Sequence, residues 1–402
     1  MFDFRPLKSP SQPSSTLCVC HGHYIDGNDN ATPLKERFNM TIKPKIVSTF
    51  SGCGGMDQGL KEVGYETIWA NDFSEEAVDT YRHNLGDHIV LGDITQIDPF
   101  TDPTIPEADM VTGGFPCQDF SMIWKRPGLD GKRGTLYQDF RDFVAAKRPK
   151  AFIAENVKGL LTANKKQAIK VIVEDLEAVA PGYIVKPRLY NFAEYGVPQF
   201  RERVLIVGIR RDTGFDFKHP APTHGPRGDL PYTTAGEALE GVEQVPFNNN
   251  HMRQMPRTRE ILKRIPEGGN FADIPKDDPY YVKGMISHVY RRLDRNEPSK
   301  TLIAGGGGGT WGYHFTEPRA LTNRERARIQ SFPDDFEFLG SNTEVRRQIG
   351  NAVPPQGMHA IGERLMPLFT GDYTPIDLEE EHAYLQALSI QERLKLADKE
   401  VY

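Results

Sequence analysis

The sequence predicts an α/β fold, with an open sheet in a large domain and a smaller second domain. Between residues 45 and 210, short apolar or β-branched runs alternate with stretches of helical spacing, which is the pattern of an α/β domain. Polar or glycine-rich turns follow these runs, at the positions where open α/β sheets bind ligands. With 402 residues, of which 38% are hydrophobic, the chain is long enough for one large domain and a smaller one.

The composition argues against secreted and membrane proteins. No run of about 18 apolar residues is present, and no apolar segment follows the first charges of the chain. We therefore expect a cytoplasmic protein with no membrane partner. The cysteines are too few for a disulfide framework and fit a reduced compartment. They are Cys18, Cys20, Cys53 and Cys117.

The formal net charge of −6 argues weakly against a nucleic-acid partner, but the distribution of charge restores the case for one. Residues 251–350 hold 17 Lys and Arg against 13 Asp and Glu, whereas residues 371–402 hold 3 against 8. An acidic tail therefore masks a basic region that is rich in arginine. The leucines of the tail predict a helix packed on the surface, with a partner-binding helix as the alternative.

Residues 1–43 are predicted to be a disordered extension, because the first 39 are polar and lack periodicity. Met40, just before the first strand, is an alternative start. Four residues of types that bind zinc lie close together, namely Cys18, Cys20, His21 and His23. Their crowding, with no second pair of ligands downstream, disfavours a closed tetrahedral site, so we predict no metal.

Three successive strand ends carry the residue types of an adenosine pocket. A strand at 46–50 leads through a glycine turn at 51–55 into a helix, which lets a nucleotide approach the backbone closely. The dinucleotide pattern G-x-G-x-x-G is not met, because Asp57 occupies its sixth position. Asp72 ends the next strand, 20 residues after Gly52, which is the distance at which an acid reaches a ribose hydroxyl.

Phe73 and Asp93 complete this predicted pocket. Phe73 can lie against an adenine ring, and Asp93, after a strand at 89–91, can accept a hydrogen bond from the adenine amino group. The pocket has no phosphate clamp. Three ordinary strand-end loops are the alternative interpretation of the same residues.

The fourth strand, 108–111, leads to Cys117 on a turn that glycine and proline stiffen, which exposes the sulfur and restricts its backbone, as a nucleophile requires. Taken alone, a cysteine is more often a buried structural residue. The fifth strand ends at Glu155, whose carboxylate can meet the substrate of that cysteine; an acid near a helix N-terminus is the alternative. The glycine-rich loop 118–134 is predicted to close over a substrate.

Gln199, Arg201 and Arg203 alternate along a predicted strand that continues to residue 209, which places the three side chains on one face. Two guanidinium groups that enter a buried strand need a partner there, because an unpaired buried charge is costly.

Five motifs occur in order along the chain: Phe-Ser-Gly-Cys-Gly-Gly at 50–55, Pro-Cys-Gln at 116–118, Glu-Asn-Val at 155–157, the 199–203 strand, and Gly-Asn-Ala-Val-Pro-Pro at 350–355. Together they resemble a DNA (cytosine-5) methyltransferase that uses S-adenosylmethionine. The resemblance extends from about residue 45 to 369, and the segment 322–333 matches the family helix before the last motif. Each motif alone is weak, but five in order make chance a poor explanation. Phe115 is a small departure, since many members have proline there.

The resemblance implies a Rossmann-like S-adenosylmethionine-dependent methyltransferase sheet with a smaller DNA target-recognition domain. A run of glycines at 305–309 is expected to offer its backbone to DNA. The implied divisions are an extension at 1–43, a catalytic domain at 44–210, a target-recognition domain at 211–320, a return to the catalytic domain at 321–370 and an acidic tail at 371–402.

The resemblance also implies the catalytic roles. Cys117, as a thiolate, would add to C6 of a cytosine that has been flipped out of the duplex. Glu155 would donate a proton or hydrogen bond at N3, and Arg203 would hold O2. Arg201 would lie close to the nucleophile or the target phosphate, and Asn156 would brace the loop of Cys117.

Binding residues follow from the same resemblance, which further implies a monomer that binds double-stranded DNA near a prokaryotic nucleoid, within a restriction-modification system. Residues expected at S-adenosylmethionine are Phe50, Ser51, Gly52, Cys53, Gly54, Gly55, Asp72, Phe73, Asp93, Ile94, Leu136, Asn351 and Val353. Residues expected at DNA are Arg291, Arg292, Lys300 and Thr301.

Two other functions stay open on the sequence alone. One is an RNA (tRNA) cytosine-5 methyltransferase of the same fold, and the other is a non-enzymatic DNA-binding protein with a decayed core. The segment 211–300 and its basic, glycine-rich end favour DNA over tRNA, and the presence of all four expected catalytic residues disfavours decay. The recognition sequence cannot be read from the chain.

Overall fold

A seven-stranded sheet forms the centre of the protein, as described by a computed structural model for residues 42–116, 136–283, 289–305 and 312–399. The strands of this sheet run in the order β3-β2-β1-β4-β5-β8-β6. The first five strands are parallel, and β8 is antiparallel to both of its neighbours. In chain order the strands are β1 Lys45–Thr49, β2 Glu66–Asp72, β3 Ile89–Leu91, β4 Met110–Gly113, β5 Ala151–Val157, β6 Tyr183–Asn191, β7 Gln199–Phe200, β8 Glu202–Arg210 and β9 Ser299–Lys300.

Helices cover the sheet and confirm the predicted α/β class. Their apolar faces pack on strands that are buried along most of their length, as where Phe143 of a helix lies 5.3 Å, ring to ring, from Trp69 of β2. The helices are α1 Gly55–Glu62, α2 Glu75–Leu85, α3 Leu136–Lys147, α4 Gln167–Glu177, α5 Ala235–Leu239, α6 Pro256–Lys263, α7 Asn323–Ile329, α8 Asn342–Asn351, α9 Pro355–Thr370, α10 Glu379–Ala387 and α11 Ile390–Lys399.

The strand order reverses between β1 and β4, and ligands of open α/β sheets bind in the crevice at such a point. Gly113 ends β4 at this place, and the elements come together closely around it. A Cβ atom at Gly113 would lie 2.4 Å from Oγ1 of Thr49 and 2.7 Å from the ring of Phe140. Only glycine therefore fits where β4 turns toward the crevice.

The predicted single strand from 199 to 209 is wrong, because it is divided at Arg201. β7 leaves the main sheet and pairs in parallel with β9, whereas β8 enters the main sheet between β5 and β6. Gln199 and Arg201 consequently point into one buried cluster around Leu302, whereas Arg203 points toward Glu155.

The described parts of the segment between β8 and α7 contain little regular structure. Two short helices, α5 and α6, lie in it, and a small apolar cluster around Ile261, Leu262 and Tyr313 gives it a core of its own. The chain then returns to the main sheet, where α9 packs on α1. A Cβ atom at Gly59 of α1 would lie 2.2 Å from the carbonyl oxygen of Pro355.

The acidic tail forms two helices, α10 and α11, where the sequence predicts one. Leu378 and Leu385 are buried against Ile184 of β6, which agrees with a tail packed on the protein's own surface. Arg393 and Glu177 form a buried ion pair at 2.6 Å between the tail and α4. Among the described residues, no helix is long and apolar enough to cross a membrane.

Candidate active site

Glu155 and Arg203 form a buried ion pair at the carboxyl end of β5. In the antiparallel register of β5 and β8, Glu155 lies opposite Leu205 and Val157 lies opposite Arg203, so the two charged residues are diagonal neighbours on one face. Arg203 Nε lies 2.8 Å from Glu155 Oε1, and the two side chains are only 13% and 12% exposed. The sheet register therefore brings together two of the predicted catalytic residues.

The carboxyl group of Glu155 lies against the turn that leads to Cys117. A Cβ atom at Gly114 would be 3.3 Å from Glu155 Oε2, and Asn156 Nδ2 donates a hydrogen bond of 2.8 Å to the carbonyl oxygen of Phe115. Cys117 itself and the predicted closing loop lie outside the described residues, which stop at Pro116 on this turn. The end of β5 thus fixes the turn and places its carboxyl group beside it.

Burial favours the protonated form of this carboxyl group. Loss of water raises the pKa of Glu155, and the opposing effects of Arg203 and Arg201 are smaller than that of burial. A carboxyl group with a raised pKa keeps its proton to a higher pH than an exposed one, which suits a proton donor.

Because Cys117 lies outside the described residues, the expected place of Arg201 near the nucleophile or the target phosphate stays a prediction. Its guanidinium is fully buried and donates to the carbonyl oxygens of Leu302 at 3.0 Å, Gly350 at 2.7 Å and Ala352 at 3.0 Å. The strand breaks at this residue, and its side chain joins the segment around Leu302 to the segment at 350–352. The guanidinium of Arg201 therefore holds these backbone segments together.

A crevice beside the site is built from the glycine turn after β1 and the end of β2. Asp72 accepts hydrogen bonds from the backbone N–H of Gly52 at 2.8 Å and of Ser74 at 2.9 Å. Gly52 has φ of +56° and Gly54 has φ of +91°, which favour glycine. A carboxylate and two left-handed residues therefore hold the turn in a fixed shape.

The motif at 350–355 closes this crevice from the other side. A Cβ atom at Gly55 would lie 2.3 Å from the carbonyl oxygen of Val353, so only glycine lets the 350–355 motif approach the turn. Beside the turn, the ring of Phe73 is 74% exposed, which is unusual for an aromatic side chain. This open face is what a flat ring could cover.

Other residues expected at the cofactor have mixed surroundings. The side chain of Cys53 is buried in the core, and burial raises the pKa of its thiol to about 12. Asp93 accepts from the N–H of Thr95 at 3.0 Å after β3, and Ile94 beside it is buried. Leu136 begins α3, and Asn351 ends α8.

Asp57, which sequence reasoning passed over except as a break in a pattern, lies directly beneath the glycine turn. Its side chain is buried and accepts a hydrogen bond of 3.0 Å from Ser48 Oγ, which in turn accepts one of 2.9 Å from Ser51 Oγ. Burial raises the pKa of Asp57 to about 6. The signal in the sequence for this buried acid was an aspartate in the first turn of a helix, with Ser48 and Ser51 shortly before it.

The residues predicted to contact DNA also differ from one another. Arg292 is buried, and its guanidinium donates to four carbonyl oxygens, including that of Ile265 at 2.8 Å; the prediction that it contacts phosphate is therefore corrected. Thr301 Oγ1 donates to the carbonyl of Phe200 at 2.6 Å. Lys300 is exposed, with its amine 4.7 Å from the ring of Phe200, and Arg291 is half-buried.

Most arginines of the basic region serve the protein itself. Arg264, Arg295 and Arg319 pair with Asp278, Glu267 and Glu325. Three further arginines are exposed to solvent. They were not predicted from the sequence as DNA contacts, although their spacing within seven positions could have indicated a basic patch. The group, the arginine patch, consists of Arg253, Arg257 and Arg259.

Comparisons with known proteins identify the family of the chain. The family model for C-5 cytosine-specific DNA methylases matches residues 44–366. The chain is 63% identical over 355 residues to the Type II methyltransferase M.NgoFVII of Neisseria gonorrhoeae, covering 88% of this chain and 94% of the relative. It is 42% identical over 340 residues to M.BbvI of Brevibacillus brevis, covering 80% of this chain and 90% of the relative.

Solved structures share the fold. A DNA modification methyltransferase from an Escherichia coli prophage superimposes with a TM-score of 0.61 at 21% identity, covering 82% of this chain and all of the other. Schizosaccharomyces pombe Dnmt2 gives 0.55 at 17% identity, covering 81% and 99%. Because the family model spans most of the chain and the curated relatives match over nearly their whole lengths, this chain belongs to the C-5 cytosine-specific DNA methylase family and is a DNA (cytosine-5)-methyltransferase.

Proposed function

We propose that the protein transfers a methyl group from S-adenosylmethionine to C5 of one cytosine in a specific duplex DNA sequence. The observation that carries this proposal is the buried pair of Glu155 and Arg203, held against the turn that leads to Cys117. A proton donor and a guanidinium on one side of a strand-end turn suit the N3 and O2 edge of a cytosine.

The crevice fits an adenosine group. Asp72 would hold the ribose hydroxyls, the exposed ring of Phe73 would stack on adenine, and Gly52 leaves the crevice open, since a Cβ atom there would meet nothing within 4 Å. Val353 and the glycine turn would close the pocket at its other side. When bound, S-adenosylmethionine supplies an electrophilic methyl group on a sulfonium.

The protein's own residues would make C5 reactive. Addition of the Cys117 thiolate to C6 forms a carbon–sulfur bond and pushes an electron pair into the ring, and a proton from Glu155 neutralises the charge at N3. Arg203 would hold O2 and keep Glu155 in place. After methylation, a base removes the C5 proton, and the electrons of the C5–H bond form the C5–C6 double bond. The electrons of the carbon–sulfur bond return to sulfur and release the thiolate, and N3 returns its proton to Glu155.

A target carbon inside a duplex is unreachable, so the cytosine must be flipped out of the stack. We assign DNA recognition to residues 211–320, with phosphate contacts from Lys300, Arg291 and the arginine patch, and with Thr301 near the flipped nucleotide. Phosphate contacts of this kind position the protein, whereas base contacts specify the sequence.

We further infer that the enzyme acts as a monomer in the cytoplasm, at the nucleoid, within a restriction-modification system. The support is that the relatives from Neisseria gonorrhoeae and Brevibacillus brevis are named Type II methyltransferases. Neither alternative function is favoured, because the family match is to DNA methylases and the expected catalytic residues are all present.

Bisulfite sequencing of DNA from cells that express the protein tests the proposal. We expect methylated cytosine at one short sequence, and methyl transfer in vitro to duplex DNA but not to tRNA. On a duplex with 5-fluorocytosine at the target, proton loss from C5 is blocked, so the wild type should stay covalently joined to DNA through denaturing electrophoresis when the methyl donor is present.

The Cys117→Ser variant should form no adduct, because a serine hydroxyl is far less ionised than a thiol near neutral pH. Equal adduct in both proteins would move the nucleophile elsewhere. If the wild type formed no adduct on DNA that it otherwise methylates, the covalent mechanism would be wrong.

A further inference from the structure

Three fully buried polar side chains lie together between the predicted cofactor crevice and the segment next to β9. They are Gln199, Arg201 and Gln330, each with an exposed fraction of 0%. The catalytic mechanism needs neither glutamine. Because buried polar groups are costly unless they are paired, the partners of these side chains show what the cluster does.

Gln330 holds the turn at 349–353, which lies on the side of the predicted cofactor crevice. Its Nε2 donates to the carbonyl oxygens of Ile349 at 2.6 Å and Ala352 at 3.1 Å. These two carbonyls flank Asn351, which together with Val353 is expected at the cofactor. The amide of Gln330 therefore fixes the backbone on both sides of a binding residue.

Gln199 connects Gln330 to the segment next to β9. Gln330 Oε1 accepts a hydrogen bond of 2.7 Å from Gln199 Nε2, and Gln199 Oε1 accepts one of 2.8 Å from the backbone N–H of Leu302. Leu302 directly follows Lys300 and Thr301, which we assign to DNA. The two amides thus form a continuous chain between the two binding segments.

Arg201 makes a second connection between the same two backbone segments. Its guanidinium donates to the carbonyl oxygen of Leu302 and to those of Gly350 and Ala352. The two backbone segments also touch directly, since a Cβ atom at Gly350 would lie 2.4 Å from the backbone nitrogen of Ala304. Neither segment can shift alone without leaving buried groups unpaired.

We propose that Gln330 is a positioning residue that fixes the register between the cofactor turn at 349–353 and the DNA segment at 299–305. It touches neither substrate nor cofactor, and it acts through Gln199 and the two backbone segments. Binding at one segment orders the same network that the other segment needs, so cofactor and DNA affinities are coupled through it. This inference rests on the proposed function.

The test compares Gln330→Met with a matched control, Gln348→Met. Gln348 is also a buried glutamine whose Nε2 donates to two carbonyl oxygens, those of Glu76 at 3.2 Å and Leu339 at 3.0 Å, but no hydrogen bond of its side chain reaches the 299–305 segment among the described residues. Gln330→Met removes three side-chain hydrogen bonds and Gln348→Met removes two, at similar side-chain volume. A loss of stability common to both variants is therefore separated from an effect on coupling.

Calorimetry would measure the Kd of S-adenosylhomocysteine, which cannot support turnover. The measurement is made with and without a duplex oligonucleotide that carries the target sequence identified by bisulfite sequencing. Coupling between sites typically amounts to about 5–150-fold, and we expect the wild type and Gln348→Met to lie in this range. In Gln330→Met the ratio of the two Kd values should fall close to 1. Arg201→Lys, which keeps the charge and loses the fork, is the second variant and should lower the ratio as well.

Thermal unfolding checks that each variant is folded. If Gln330→Met does not fold, the Kd ratio of Arg201→Lys decides whether the two sites are coupled through the network. The inference is overturned if the wild-type ratio is already 1, or if the folded Gln330 and Arg201 variants keep it. Absence of methyl transfer to duplex DNA by the wild type would instead refute the proposed function, so the two failures can be told apart.

Discussion

The edge of the main sheet and the irregular segment that follows it use charged residues in opposite ways. At the sheet edge, strand register turns Glu155 and Arg203 toward each other beside an open turn. In the irregular segment, Arg292 points inward and binds the protein's own carbonyl oxygens. Where strand register fixes the direction of a charged side chain, its role can be inferred from the sequence, whereas a count of charges elsewhere says little about which of them reach the surface.

The largest effect is expected at the sheet edge. Glu155→Gln removes the proton donor and keeps the shape of the side chain, so kcat should fall by about 10²–10⁴-fold, with DNA binding retained. Because burial raises the pKa of Glu155, the protonated form persists to higher pH, and the wild-type rate should decline as pH rises through that pKa. Single-turnover methylation across a range of pH measures both.

Glu177→Gln is the matched control for this prediction. Glu177 forms a buried pair with Arg393 under the acidic tail, away from the crevice. This variant should lose stability with little change in kcat. An equal fall of kcat in both variants would show that Glu155 acts only by holding the fold.

The next largest effect is expected at the exposed arginines of the irregular segment. Neutralising the arginine patch should weaken binding to all DNA sequences alike, since each phosphate contact adds about 0.9 to the slope of log affinity against log salt. Loss of three contacts would lower that slope by about 3 and affinity roughly a hundredfold near 0.1 M salt. Fluorescence titration at several salt concentrations measures the slope.

Arg292→Gln should behave in the opposite way. It leaves buried carbonyl oxygens without their donor, so it should lower the melting temperature while the salt slope of the folded protein stays that of the wild type. A loss of slope with Arg292→Gln, and none with the patch variant, would reverse our assignment of inward and outward arginines.

A smaller effect is expected at the cofactor crevice. Phe73→Ala removes an exposed ring, so stability should hardly change, whereas affinity for S-adenosylmethionine should fall about tenfold through the lost stacking. Asp72→Ala should also weaken cofactor binding, but it releases Gly52 and Ser74 as well. Phe100→Ala, which removes a ring that is 62% exposed elsewhere, is the control. Equal cofactor affinity in all these proteins, by calorimetry, would place adenine elsewhere.

The smallest effect concerns Asp57 beneath the glycine turn. Its folded pKa of about 6 exceeds the unfolded value, so its contribution to stability is complete below about pH 4 and is lost as pH rises through 6. Between about pH 5 and pH 8 the wild type should lose about 1 kcal/mol relative to Asp57→Asn. Urea unfolding of both proteins at the two pH values measures this difference, and parallel behaviour would mean that Asp57 is not protonated there.

Strand ends were predictable from the sequence because an apolar run followed by a glycine or an acid leaves few other interpretations. This reasoning placed Glu155 and Asp72 at one edge, where the structure has them. It failed at Arg201, because alternation along a strand assumes that the strand continues, and the departure of β7 to pair with β9 depends on residues a hundred positions away. It failed at Arg292 for a similar reason, since its carbonyl partners come from distant turns.

The contact between Gly55 and the carbonyl of Val353 has a consequence for the time at which the enzyme becomes active. The two residues are separated by about 300 positions, and at typical translation rates the second leaves the ribosome roughly 15–60 s after the first. Until then the glycine turn has no wall on that side, and the nascent chain cannot complete its crevice. Premature termination between the end of β8 and the last motif would therefore release a protein whose sheet is whole but whose methyl-donor pocket stays unfinished.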